Sequence, residues 1–311
     1  MRRVLALWSI VLAALLTGCQ TLPPETPTDL DDRVVFAAEL LEQGQIDAAY
    51  AVLRSVDGEL LSEDSAVRYS IASARAFAAK GRLRTAFCRF LDDFPRRFRF
   101  RPEIEAAAAL HESLCEALLE RDGSFWWACD FFTGDKGFAQ ERLLRFLERY
   151  PGHARGANVL RLLGELHEEA TEWPLARFRY EELLQEYPDS EWVPYAQFRL
   201  AISSFEQVEG VCYDEGQMRI ARRELQTYLN LLPELPQAVR EASEALAQVE
   251  TWLAQRWLQN AEFYRTIEND YGERRQLDLV LREFPDSPEA EIARKRLGLV
   301  RKDLDSDGGT P

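Results

Sequence analysis

Few residues in this 311-residue chain are placed for catalysis. Only three histidines occur, and His167 opens HEEAT rather than the HExxH that sets two imidazoles on one zinc ion. No GxSxG, GxGxxG or P-loop is present, and no CxxC or Cys and His cluster suits a metal. The expectation is a protein that is not an enzyme and needs no cofactor. Chemistry is expected instead at three places. Cys19, a thiol at the end of an apolar run, is a candidate acyl acceptor. The segment PRRFRFRP, residues 95–102, gathers Arg96, Arg97, Arg99 and Arg101. It reads either as a solvated loop or as a contact for lipid phosphates or an acidic partner. The segment DGSFWWACDFFTGDKG, residues 122–137, packs Phe125, Trp126, Trp127, Phe131 and Phe132 together but is too short to cross a membrane. It reads either as a plug folded back on the helices or as an exposed anchor for a partner or the membrane surface.

The setting of Cys19 implies a compartment. Arg2 and Arg3 precede an apolar run from Val4 to Leu16, then Leu16-Thr17-Gly18-Cys19. A run this short is a secretory h-region rather than a permanent span, and the Leu-Thr-Gly-Cys at its end resembles the bacterial lipobox. Residues 1–18 are thus expected to be removed and Cys19 to carry acyl chains, a stable tether when more than one is present. Gln20, rather than an Asp, comes after the Cys; by resemblance to enterobacterial lipoproteins this implies the outer membrane of a diderm bacterium, on its periplasmic side. Residues 19–32, rich in Pro, Thr and Asp, are expected to form a leash, and residues 303–311 a loose tail.

The four other cysteines, Cys88, Cys115, Cys129 and Cys212, allow three full pairings in an oxidising compartment or remain buried thiols. Cys115 with Cys129 would pin the aromatic segment to its flanking helix. The composition offers 46% apolar residues for a core, and 38 basic residues against 53 acidic give a net charge of −15. Such a chain is poorly suited to a phosphate backbone, so nucleic acid is not an expected partner.

Residues 33–302 must position these groups, and their pattern is helical. Five segments close on an apolar residue followed by Pro: Phe94-Pro95, Tyr150-Pro151, Tyr187-Pro188, Leu232-Pro233 and Phe284-Pro285. Counting back from each Pro, apolar residues recur at one, four, five and eight positions, as in Tyr187, Leu184, Leu183 and Tyr180. Those spacings share one helix face, and Pro then ends the helix. Asp189 and Ser190, or Asp286 and Ser287, are expected to cap the next helix, with Pro288 at its first position. Ala139, Ala176 and Ala221 lie twelve residues before a closing Pro, where a small side chain admits a neighbouring helix. GQIDAAYAVL from Gly44 and GRLRTAFCRFL from Gly81 have the look of second helices after a Gly turn. This order resembles the tetratricopeptide repeat, but closing prolines 56, 37, 45 and 52 residues apart imply lengthened repeats with inserts. The predicted fold is all-α, a right-handed solenoid of five to six helix pairs, which commonly serves as a platform for partners.

The lipobox, the leash, the repeats and the recurrent YP or FP followed by DS together resemble the BamD family of β-barrel assembly lipoproteins. WLQNAEFYRTIENDYGERRQLDLVLREFPDSPEAEIARKRL is similar to that family's closing repeat. The resemblance implies a scaffold whose carboxyl-terminal half docks a BamA-like barrel protein with periplasmic domains and whose amino-terminal half samples unfolded outer-membrane proteins. A general repeat lipoprotein for envelope maintenance or secretion is the alternative.

Overall fold

The computed structural model describes residues 22–120, 134–211, 215–231 and 235–298. Among them all regular structure is helical, and the chain divides into two compact units, Met1–Val159 and Leu160–Pro311. The first unit contains α1 (Leu30–Glu42), α2 (Ile46–Arg54), α3 (Glu63–Ala79), α4 (Leu83–Ala86) continued by a π-helical turn (Phe87–Leu91), α5 (Phe94–Arg97), α6 (Ile104–Glu120) and α7 (Asp135–Arg149). Next in the chain is α8 (Gly156–Glu169). The second unit holds α9 (Trp173–Glu186), α10 (Val193–Glu206), α11 (Glu215–Asn230), α12 (Pro236–Thr266), α13 (Asp270–Glu283) and α14 (Pro288–Arg296). Neighbours in sequence pack as pairs, α1 on α2, α6 on α7, α10 on α11 and α12 on α13. Helix α1 already begins at Leu30, capped by the Asp29 carboxylate, so the leash expected over residues 19–32 ends sooner.

The pairs are punctuated by two recurring devices. Four helices, α1, α3, α8 and α12, end in a Schellman motif, the N–H donating to the carbonyl five residues back: Gln45 to Leu40, Arg82 to Phe77, Glu172 to His167 and Asn269 to Tyr264, at 2.8–2.9 Å. The residue just before each donor is left-handed, with φ of +75° at Gly44, +73° at Gly81, +58° at Thr171 and +57° at Glu268. The second device is the aromatic-Pro phrase. Tyr150, Tyr187 and Phe284 each sit one residue past their helix with φ between −121° and −136° and ψ near 57°, donating to the carbonyl four residues back. The following Pro disfavours the α conformation there and supplies no N–H to continue the ladder. Each aromatic carbonyl then accepts from the residue three further on: His153, Ser190 or Ser287. Ser287 caps α14 through its hydroxyl, with Pro288 at the helix start as expected. At α10, which starts at Val193 after Trp192, the Ser190 hydroxyl accepts from the Trp192 N–H at 3.2 Å.

The stripes form the core. Phe146, Tyr180, Leu183, Leu225 and Val280 are almost wholly buried, as are Ala139, Ala176 and Ala221. Leu184 is only half-buried, so at that turn Leu183 faces the core. Close approach is marked at Gly164, where a Cβ would lie 2.6 Å from the Tyr180 ring. The phrase at Phe94-Pro95 is not a stop: α4 and its π turn end at Leu91, and Pro95 instead opens α5. Measured from the left-handed residue, Pro95 falls 14 positions on, whereas Pro188 and Pro285 fall 17 on, and an offset of three keeps nearly the same helix face. The spacing of 52 between Pro233 and Pro285 comes from a long helix, the 31-residue α12, rather than from an inserted loop.

Cys88 is exposed and Cys115 buried, and both are free thiols. This corrects the reading of four buried thiols at Cys88; the pairing of Cys115 with Cys129 falls on a residue outside the described ones. Burial pushes the Cys115 thiol well above its ordinary range, so it behaves as a small apolar side chain.

Candidate functional site

The arginine-rich segment is held at both ends by aromatics. Phe94 and Phe98 are buried and their ring centroids lie 5.0 Å apart, which turns the residues between and after them outward. Arg96, Arg97 and Arg99 are exposed and make no ion pair among the described residues. Arg101 differs. Its guanidinium reaches Glu63 at 3.1 Å and Asp64 at 2.6 Å on the first turn of α3, and these carboxylates hold its pKa above the usual value. Phe100, between Arg99 and Arg101, is 94% exposed.

Beside this segment lies a cleft of about 570 Å³. One wall is Pro95, Arg96, Arg99 and Ile104; the other is the end of α7 and its stop phrase, Glu148 to His153. Gly152 at φ +70° allows the tight turn after Pro151. The Arg149 Nε and the Tyr150 hydroxyl are buried without hydrogen-bond partners among the described residues. Burial raises the Tyr150 phenol far above its ordinary range. His153 Nδ1 accepts from the Arg155 backbone N–H at 3.2 Å, which leaves Nε2 to donate to Glu105 at 2.8 Å. The cleft thus presents three guanidinium groups against one lining carboxylate, on apolar flanks of Pro, Ile and Tyr.

Next to the cleft, Asp92 pairs with Arg142 in a largely buried salt bridge. His111, 2% exposed, donates from Nε2 to the Arg142 carbonyl at 3.0 Å and is ringed by Phe87, Phe146 and Tyr150 at 4.9–6.0 Å between centroids. Its Nδ1 has no hydrogen-bond partner among the described residues. Burial, only partly offset by the Arg142 carbonyl and Asp92, lowers its pKa to about 4. The group is a neutral packing element at ordinary pH. Among the described residues no group of three or more His, Cys, Asp or Glu is placed to hold a metal.

In the second unit, exposed apolar side chains gather where α12 passes to α13: Phe263 at 60%, Ile267 at 53% and Tyr271 at 77%. Tyr271 also lines a cleft of about 380 Å³ with Arg274, Arg275, Asp278, Leu279 and Arg282.

The family model YfiO, described as outer membrane lipoprotein, matches residues 139–304, more than half of the chain. The chain belongs to this family. No curated protein matches it. Among solved structures it is similar to pilF of Pseudomonas aeruginosa, with 15% identity over 86% of this chain and 96% of that one, at a TM-score of 0.34.

The YfiO match covers the Tyr271 face and the Glu148–His153 wall, whereas Arg96 and Arg99 lie before it. Of the residues singled out from sequence, the structure brings Arg96 and Arg99 to the cleft, leaves Arg97 outside it and ties Arg101 to α3. Cys19, Phe125, Trp126 and Trp127 lie outside the described residues, as do Cys129 and Cys212. Sequence reasoning missed Arg149, His153 and Phe100 in the first unit and Tyr271, Arg274 and Arg275 in the second. A signal existed for Phe100, an apolar residue in the middle of a charge run. Arg149 and His153 flank a stop phrase, and only the packing of α7 on α6 brings them opposite Arg96.

Proposed function

We propose that this YfiO-family chain is a non-enzymatic scaffold of the β-barrel assembly machinery, tethered through acylated Cys19 to the periplasmic side of the outer membrane. The observation that carries this reading is the outer membrane lipoprotein match, which falls on the same carboxyl-terminal residues that resemble BamD. The exposed Phe263, Ile267 and Tyr271 beside Arg274 and Arg275 supply the kind of aromatic and arginine anchors that dominate protein interfaces. On this reading they meet the periplasmic domains of a BamA-like barrel, while the first unit samples unfolded outer-membrane proteins. A tether raises the local concentration of both partners, so a modest interface suffices.

The test is affinity capture of the full chain from its own envelope. A large barrel protein with repeated periplasmic domains should co-purify, and Tyr271→Ser with Arg274→Glu should abolish its recovery. Point variants are preferable to truncation after Pro233, which would strip α12 to α14 from a core that includes Leu225, Leu253, Trp257 and Val280. Depletion of the chain should lower many outer-membrane barrels together. If depletion spares them, the role is general envelope maintenance or secretion. Cys19→Ala should separately move the protein out of the outer-membrane fraction.

A further inference from the structure

We propose that the Arg96, Arg99 and Arg149 cleft receives the phosphate of an anionic phospholipid headgroup while Phe100 enters the adjoining interface. The first unit would then hold a membrane contact independent of any acyl chain. The inference rests on the outer-membrane location of the family and not on any protein partner.

Charge is the first argument. In a chain of net charge −15 the exposed cations Arg96, Arg97 and Arg99 fall within four residues, and a concave site focuses their field. Arg101 is neutralised by Glu63 and Asp64, which fixes the segment's end and leaves the other three unpaired among the described residues. Across the cleft Arg149 brings a third guanidinium to the lining, and arginines on two walls suit a phosphate. The carboxylate of Glu148 is the one opposing charge in the lining. Ile104, Pro95 and Pro151 offer apolar flanks to a glycerol backbone.

Phe100 decides between a lipid and an acidic peptide. A peptide seated in the cleft would leave this ring in water, since it is 94% exposed and does not line the cleft. A membrane surface covers both, with phosphates on the arginines and the ring at the acyl boundary, the usual pairing of basic and aromatic residues at interfaces.

The experiment is vesicle flotation of the chain beginning at Gln20, which keeps every described residue and carries no acyl group. Binding should be weak to phosphatidylcholine vesicles, clear to vesicles also containing phosphatidylglycerol, and reduced by salt. Arg96→Gln with Arg99→Gln should weaken it roughly tenfold or more, at about 1 kcal/mol for each arginine near an anionic surface. Arg68→Gln with Arg75→Gln, removing equal charge from α3, should change it little. Phe100→Ser should weaken vesicle binding several-fold. Both arginine pairs are exposed, so unfolding midpoints should stay unchanged and report intact folds. Equal flotation with both vesicle types, or equal effects of the two arginine pairs, would overturn the proposal. So would inorganic phosphate at low concentration releasing the protein fully, the mark of a free-anion site, or an acidic peptide doing so, the mark of a protein site. No partner or acyl chain enters the assay, so its failure leaves the scaffold and anchoring readings standing.

Discussion

His111 offers a direct reading of how dry the first unit is beside the cleft. Its Nε2 donates to the Arg142 carbonyl, so the proton that would charge the ring must go to Nδ1, which meets no acceptor among the described residues. Burial therefore lowers the folded pKa to about 4 from 6.5. Between those values the unfolded chain binds a proton that the folded chain refuses, so stability is full above pH 6.5 and falls as pH drops through the window. At pH 5 the unfolded imidazole is favoured roughly thirtyfold by protonation and the folded one hardly at all, a loss of about 2 kcal/mol. Urea unfolding of the wild type and of His111→Phe, near pH 7.5 and near pH 5, measures it. Phe keeps an edge-to-face partner for Phe87 and Phe146 but cannot titrate, and the carboxylates common to both proteins cancel in the comparison. The wild type should lose about 2 kcal/mol more than the variant on acidification. Equal losses would refute the reasoning, because His111 would then be charging inside the fold at no cost.

Other substitutions test the packing and punctuation. Leu183→Ala should cost about 2–5 kcal/mol in chemical denaturation and Leu184→Ala clearly less, since Leu183 is wholly buried and Leu184 half-buried. Gly164→Ala, whose Cβ would meet the Tyr180 ring at 2.6 Å, should destabilise by about 1–3 kcal/mol, and relief by Tyr180→Phe should be slight because ring carbons cause the clash. Glu268→Gly should raise stability by roughly 1 kcal/mol, because a left-handed residue with a Cβ is replaced by one without that penalty.

Much of this fold is legible in the sequence because its signals are local. Pro after an aromatic residue ends a helix by sterics alone, so Tyr150, Tyr187 and Phe284 announce their own caps. The turns at Gly44 and Gly81 are equally visible. The same turns at Thr171 and Glu268 are hidden, since each adopts positive φ against its own preference and nothing in the residue type advertises it. Pro95 misleads for a geometric reason, the three-residue offset that leaves the stripe on nearly the same face. Helix α12 does not show itself as one helix, because its first half is buried through Ala238, Ala242 and Ala245, residues too small to register as a stripe. At the cleft, the arginines adjacent in sequence are legible, while Arg149 is not, because its place depends on tertiary packing.

Helix α12 has a further consequence. At 31 residues it extends about 45 Å, and it packs on α10, α11, α13 and α14. In an array whose repeats touch only their neighbours, the last pair can fray while the rest stays folded. Here fraying would have to break a continuous helix in mid-course or carry several partners with it. The end of the second unit is thereby converted from a row of independent modules into a single cooperative block. The ring of Tyr271, just beyond that helix, is presented from a support that does not breathe piecemeal, so little ordering entropy remains to be spent when a partner arrives.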